Sequence, residues 1–174
     1  MRTIQFSNKE KFAVCVKLHE AGGVPAFQPN INAAISELSR LFLDPKIRIG
    51  GHFLRSDIPW IRQHTGIDLR PKYKASDSYE TCLTAGGWET SLAEHALNET
   101  GLLGLEVLRA KYTDAPPYER LLDVWLRTYC EQHGIERKDL EGFGEWDSPD
   151  FYSYACYDAD VTYRIIQRLF ELLS

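Results

Sequence analysis

The sequence predicts an α/β domain in which a small sheet is flanked by helices. Three observations support this class: strand-like segments come first, a strand and helices then alternate, and helical segments fill most of the second half. The chain has 174 residues, of which 44% are hydrophobic and 26% charged, an ordinary balance for a globular protein with a real core. The expected organisation is therefore one domain over residues 1–174.

The first half of the chain supplies the predicted strands. Segments 2–6 and 11–18 flank an Asn-Lys-Glu turn, which indicates a hairpin. Apolar residues then recur at helical spacing through 30–43 until a proline ends the pattern. A short strand at 47–50 follows and closes on two glycines. Together the hairpin and this parallel strand are expected to form a mixed sheet.

The remaining elements are helices. Pro59 suits the first turn of a helix, so a helix is expected from about Ile58 to Gly66. Ser148 and Pro149 have the residue types of an N-cap and first helical position, which predicts a long C-terminal helix. Further helices are predicted near 78–86, 90–98, 102–111 and 118–133.

Composition argues against several classes of protein. The four cysteines are scattered without a CxxC pair, which argues against a disulfide framework or zinc site and fits a reducing cytoplasm. No secretory segment is found, and no apolar stretch approaches the ~20 residues that span a bilayer, so no membrane partner is expected. A net charge of −5 argues against a protein that coats nucleic acid unaided, but it permits a site where metal ions supply positive charge.

Asp158 is the first candidate functional residue. It shares a helix face with Val161 and Ile165 of the expected core, and Tyr154 lies one turn before it. Asp160 points roughly opposite and is expected to be solvated. Because an unpaired carboxylate in a low-dielectric interior is costly, Asp158 needs a basic side chain, a backbone cap or a metal ion as its partner. A paired, purely structural carboxylate is the alternative to a functional one.

Asp57 is the second candidate. It follows the strand that ends at Gly51, at the carboxyl end where open α/β sheets place their sites. A helix N-cap would also explain its position. Taken together, a strand-end Asp57 and a helix-face Asp158 with Tyr154 beside it have the layout of a carboxylate site that holds divalent metals against phosphate. Mg²⁺ and Mn²⁺ prefer such oxygen ligands.

Three ordered segments carry a resemblance to a known family. GHFLRSDIPWI, SYETCLTAGGWETSLAEHAL and GFGEWDSPDFYSYACYDADVTYRI resemble the second motif, intervening helices and third motif of the 3′–5′ proofreading exonuclease domain of family A (DNA polymerase I-like) DNA polymerases, especially phage ones. The most specific piece, YACYDADVTYR, resembles the Tyr-x-x-x-Asp motif followed by Ala-Asp-x-Thr. The likeness runs from about Ile4 to the C-terminus. It implies a DEDDy exonuclease with a ribonuclease H-like fold.

The resemblance also implies roles for the candidate residues. Asp158 corresponds to the aspartate that binds the nucleophile-side metal, Asp57 to the aspartate of the second metal, and Tyr154 to the tyrosine that orients the attacking water. The implied reaction hydrolyses the 3′-terminal phosphodiester of single-stranded or frayed DNA with two Mg²⁺ or Mn²⁺ ions ~3.5–4 Å apart. The implied partners are a single-stranded DNA 3′ end and the rest of a DNA polymerase polypeptide.

The segment around Asp57 departs from the family pattern. It reads His52-Phe53, and Ser56 stands directly before the aspartate, where an aromatic residue is common. His52, Phe53 and Arg55 are the candidate substrate contacts. Phe53 either stacks on a base, as aromatic side chains do on single strands, or belongs to the core.

The family's first motif, an Asp-x-Glu on the central strand, has no counterpart in the sequence. The segment RTIQFS contains no acid. The expectation is therefore an N-terminally truncated domain whose hairpin and 47–50 strand lack the neighbour that pairs their backbone groups, and which binds metal too weakly for normal catalysis. The alternative function is a non-catalytic exonuclease-like module that scaffolds a polymerase or binds single-stranded DNA.

Overall fold

A computed structural model of the chain describes residues 3–18, 31–44, 46–67, 87–139 and 148–174. Over these ranges an α/β arrangement is confirmed, with strands first, alternation next and helices last. The predicted helix at 78–86 lies outside the described residues. The elements are β1 Thr3–Lys9, β2 Phe12–Lys17, α1 Ile31–Leu43, β3 Ile49–Gly51, α2 Leu54–Thr65, β4 Gly87–Glu89, α3 Thr90–Leu97, α4 Leu105–Tyr112, α5 Glu119–His133, a 3₁₀ turn Arg137–Asp139 and α6 Pro149–Leu173.

The long C-terminal helix α6 is the centre of the fold. It contacts strands β1, β2 and β3 and helices α3, α4 and α5. Val161, Ile165 and Leu169 recur at helical spacing along it and are fully buried. They form one apolar cluster with Trp88, Ala93, Leu108, Ala115 and Tyr118. A second cluster joins the hairpin to α1 and α2 and consists of Ile4, Leu18, Leu38, Phe42, Ile61 and Ile67.

The predicted hairpin forms, but β1 extends over the first two residues of the predicted Asn-Lys-Glu turn, so the turn lies at Glu10 and Lys11; this turn is attached to α6. Strands β1 and β2 pair antiparallel, with Ile4 opposite Val16. Lys11 in the turn has a left-handed backbone, with φ at 58°, a conformation that residues other than glycine rarely adopt. Its N–H donates to Asp160 Oδ1 at 2.6 Å, which fixes the turn against the helix.

Asp160 is buried, so the expectation that it is solvated is wrong. Only 5% of the residue is exposed, and its carboxylate forms an ion pair with the guanidinium of Arg164 one turn later. The physical reason is that α6 is covered on more than one side. A residue that points away from the apolar cluster therefore meets the hairpin instead of water.

Strand β3 has a parallel partner that local sequence signals do not predict. Gly51 of β3 pairs with Glu89 of β4, and Ile49 pairs with Gly87. The expectation that this strand lacks a neighbour is therefore wrong along one edge. Within the described residues the β1–β2 and β3–β4 ladders are separate and not joined in one mixed sheet. Gly50 permits close packing here, because an added Cβ would lie 2.4 Å from Cδ1 of Ile166 on α6.

Helix α2 begins at Leu54, four residues earlier than predicted. Its N-cap is Phe53, so Asp57 lies within the helix and the N-cap interpretation of Asp57 is wrong. Pro59 stands inside the helix, not in its first turn, and has no N–H to donate to the preceding turn. The early start has a tertiary cause, since the Glu89 carboxylate accepts hydrogen bonds from the backbone N–H groups of Phe53 and Leu54.

No helix within the ranges described is both long enough and apolar enough to cross a bilayer.

Candidate functional site

Two tyrosine hydroxyls interact with the carboxylate of Asp158. Tyr118, the residue before α5, donates from its hydroxyl to Asp158 Oδ1 at 2.6 Å. The hydroxyl of Tyr154, one turn earlier on α6, also interacts with this carboxylate: it opposes the rise that burial causes in the pKa of Asp158, and burial followed by the charge of Asp158 raises the pKa of Tyr154. The partner of Asp158 in the structure is therefore a pair of phenols, a possibility that the three expected kinds of partner did not include.

The rings of these tyrosines pack against one another. Tyr118 stacks on Tyr157, with ring centroids 5.0 Å apart and planes 11° from parallel. The Tyr154 ring lies 5.6 Å away and is tilted by 58°. Only 2% of Tyr118 is exposed. The donors to Asp158 thus belong to an aromatic group whose geometry is set by packing.

Burial and hydrogen bonding change the pKa of Asp158 in opposite directions. Desolvation raises its pKa to about 6, the hydroxyls of Tyr118 and Tyr154 work against that rise, and the nearby Glu119 carboxylate adds to it. Desolvation, followed by the charge of Asp158, raises the pKa of both tyrosines. Consequently the tyrosines stay protonated and donate at neutral pH, whereas most of Asp158 is ionised and accepts.

Asp57 lies at a second group of polar residues, beyond the carboxyl ends of β3 and β4. Much of Asp57 is open to solvent, yet partial desolvation of its carboxyl raises its pKa, and the nearby Glu89 carboxylate raises it further. Glu89 itself accepts from the backbone N–H groups of Phe53 at 3.0 Å, Leu54 at 2.8 Å and Ser91 at 3.0 Å. One carboxylate thus caps both α2 and α3, and Asp57 lies on the first of these helices.

His52 and Thr90 complete this second group. The Nδ1 atom of His52 lies 2.7 Å from the Thr90 hydroxyl, and its Nε2 is buried without a hydrogen-bond partner among the described residues. Burial lowers the pKa of His52, although the charge of Glu89 works against that change. The imidazole is therefore neutral at physiological pH.

Phe53 is 49% exposed, so the interpretation of this residue as core is wrong. Its backbone is left-handed, with φ at 52°, and its ring makes a T-shaped contact with the His52 ring at a centroid distance of 4.3 Å. Arg55, two residues on, is also exposed. A role for His52, Phe53 or Arg55 in substrate contact stays a prediction.

The structure brings Tyr154 and Asp158 together, as their four-residue spacing predicts. Glu89 is the charged neighbour of Asp57, whereas Glu119 is that of Asp158, so among the residues that the structure describes the two groups share no acidic neighbour. In the part of the chain that is described, no three His, Cys, Asp or Glu side chains come together as a metal-holding group. Convergence of Asp57 and Asp158 on shared ions stays a prediction.

Comparison with known proteins gives two matches. The model of a family described as "3′–5′ exonuclease" matches residues 1–174. The "DNA polymerase" of Escherichia phage T5 is 29% identical over 118 residues, which are 66% of this chain and 12% of the phage protein. The chain thus corresponds to about an eighth of that relative's length. No solved structure matches the chain significantly.

Proposed function

Because the chain belongs to the 3′–5′ exonuclease domain family of family A DNA polymerases, we propose that it removes nucleotides by hydrolysis from the 3′ end of single-stranded or frayed DNA. The proposal includes a ribonuclease H-like fold and the rest of a DNA polymerase as partner. The observation that carries it is the contact between Tyr154 and Asp158 within the segment that resembles the family's Tyr-x-x-x-Asp motif.

The chemistry of this pair suits a hydrolytic step. With a pKa raised to about 6, Asp158 is mostly ionised at neutral pH but more basic than an ordinary aspartate. It can therefore accept a hydrogen bond from an attacking water and favour its approach to phosphorus. The Tyr154 hydroxyl oxygen can accept a hydrogen bond from the same water and orient it.

Metal dependence is the part of the proposal that comes from the family. Two Mg²⁺ or Mn²⁺ ions, when bound, would lower the pKa of a water and neutralise charge on the phosphodiester. Asp57 and Asp158 are the side chains that would contact them. The described residues do not fit such a group by themselves, because no three ligand side chains converge among them. Further ligands would have to come from elsewhere.

Exposed residues next to Asp57 are the proposed DNA contacts. Phe53 offers an uncovered aromatic face beside His52, and such faces stack on single-stranded bases without reading sequence. Arg55, in the first turn of α2, can contact a backbone phosphate. These residues would hold the terminal nucleotides.

The test is release of 3′-terminal nucleotides from a 5′-labelled single-stranded oligodeoxynucleotide, measured with this chain at several Mg²⁺ concentrations. We expect Asp158→Ala to lower the rate by at least about 100-fold. Asp150→Ala, an exposed acid in the first turn of the same helix, is the matched control and should retain the wild-type rate. Equal rates for wild type and Asp158→Ala would remove Asp158 from the mechanism.

A non-catalytic module is the second candidate function. The lack of a three-ligand group among the described residues favours it. It predicts that wild type releases no nucleotide at any Mg²⁺ concentration but binds a fluorescent single strand in an anisotropy titration. In that case Phe53→Ala should weaken binding, since a base–aromatic stack contributes about 1–3 kcal/mol.

A further inference from the structure

Tyr118 lies outside every motif that the sequence suggests, yet it hydrogen-bonds the carboxylate of Asp158. Its hydroxyl donates to Oδ1 across 2.6 Å, from a position 40 residues earlier in the chain. A hydrogen bond to an ionised carboxylate is among the stronger kinds in proteins. Because one oxygen of Asp158 is held from outside α6, the carboxylate has less freedom to rotate about its side-chain bonds.

The Tyr118 ring is itself held on two sides by aromatic neighbours. Tyr157 stacks on it and Tyr154 meets it at an angle. Together with the ring's almost complete burial, these contacts leave the phenol little room to turn away from α6. The hydroxyl is therefore fixed in place before any substrate arrives.

The short segment that carries Tyr118 is anchored to α4. Arg109 donates from Nε to the Glu119 carboxylate at 3.1 Å and from a terminal guanidinium nitrogen to the Ala115 carbonyl at 2.8 Å. These two bonds bracket Tyr118 in sequence. The anchor thus connects α4, the start of α5 and the Asp158 carboxylate on α6.

We infer that Tyr118 is a positioning residue for hydrolysis: its hydroxyl fixes the orientation of the Asp158 carboxylate toward the reacting group. This inference rests on the proposed exonuclease function. Tyr118 acts through Asp158 and need not touch the DNA, whereas Tyr154, on the same helix as Asp158, is the phenol proposed to meet the attacking water.

The test compares Tyr118→Phe with Tyr157→Phe in this chain. Both variants keep the stacked rings, but only Tyr118→Phe removes a donor to Asp158. For release of 3′ nucleotides we expect Tyr118→Phe to lower kcat about tenfold, as loss of a hydrogen bond to a charged group implies, with KM for DNA within about twofold of wild type. Tyr157→Phe should stay within about twofold of wild type in both constants.

Two kinetic results would overturn the inference. One is a kcat for Tyr118→Phe equal to that of Tyr157→Phe. The other is a tenfold rise in KM without a fall in kcat, because the hydroxyl would then serve DNA binding.

A second measurement needs neither DNA nor catalysis. A buried hydroxyl bound to a carboxylate exchanges slowly with water, so the Tyr118 hydroxyl proton should give an NMR resonance that Asp158→Ala abolishes and Tyr157→Phe retains. A spectrum of wild type without this resonance would refute the contact even if Tyr118→Phe failed to fold. Absence of nucleotide release by wild type, with the resonance present, would instead overturn the proposed function and the positioning role of Tyr118 with it.

Discussion

Glu89 accepts a hydrogen bond from the backbone N–H of Leu54 at 2.8 Å, across 35 positions of sequence. The same carboxylate accepts from the N–H groups of Phe53 and Ser91. The first turns of α2 and α3 therefore depend on a single side chain at the end of β4. This arrangement also sets the direction in which α2 presents Asp57.

Replacement of Glu89 should destabilise both helix starts. In Glu89→Ala three backbone N–H groups lose their acceptor, and we expect the free energy of unfolding in urea to fall by about 2 kcal/mol. Glu99→Ala, at an exposed turn residue, is the control and should change it by less than about 0.5 kcal/mol. If the free energy of unfolding were similar for the two variants, water would satisfy the three backbone N–H groups as well as the Glu89 carboxylate does.

The buried ion pair between Asp160 and Arg164 should contribute more to stability than the ion pair between Arg164 and the exposed Asp114. Asp160→Ala leaves a buried guanidinium with Asp114 as its remaining ion-pair partner among the described residues, and it also removes the acceptor for Lys11 N–H. We expect a loss of about 3 kcal/mol by chemical denaturation.

Asp114→Ala provides the comparison for this loss. The side chain of Asp114 is 76% exposed although it pairs with the same guanidinium. Its removal should cost less than about 1 kcal/mol. If both variants lost the same free energy, burial of Asp160 would not be the reason for its contribution.

The stability of the protein should fall with rising pH through the titration of Asp158. Its folded pKa of about 6 lies above the unfolded value, so the folded state holds the proton more tightly. This contribution is fully present below about pH 4 and is lost as the pH rises through about 6. Asparagine at position 158 cannot ionise. Between pH 4 and pH 7 the free energy of unfolding of Asp158→Asn should therefore rise relative to that of wild type, by an amount on the order of 2 kcal/mol.

The measurement is the difference in free energy of unfolding between wild type and Asp158→Asn at a series of pH values. In this difference the contributions of all titrating groups that the two proteins share cancel, and the contribution of Asp158 remains. A difference that is constant from pH 4 to pH 7 would contradict a raised pKa. A difference that changes in the opposite direction would indicate that the tyrosine hydroxyls outweigh burial.

Local sequence patterns predict those structural features that depend on residues close together along the chain. The helix at 118–133 and the contact between Tyr154 and Asp158 follow from helical spacing, and both are found in the structure. Helical periodicity also gives the direction of Asp160 relative to Asp158. It does not reveal that the hairpin covers that side of α6, so the predicted solvation of Asp160 is wrong.

Features that depend on distant residues could not be predicted in the same way. Strand β4 is three residues long and is recognisable through its pairing with β3. The start of α2 is set by Glu89, which belongs to another segment. Tyr118 reaches Asp158 from 40 positions away, and no spacing rule connects the two.

The attachment of the hairpin turn to α6 affects the order in which the chain can fold. Lys11 and Asp160 are separated by 149 positions, so their contact closes a loop of most of the chain. Such closure is entropically costly and raises the contact order of the domain, which slows folding. During synthesis the hairpin can form early and pack against α1 and α2, but the side that contacts α6 stays uncovered until α6 has emerged from the ribosome. That side of the hairpin would be exposed to other chains during that interval.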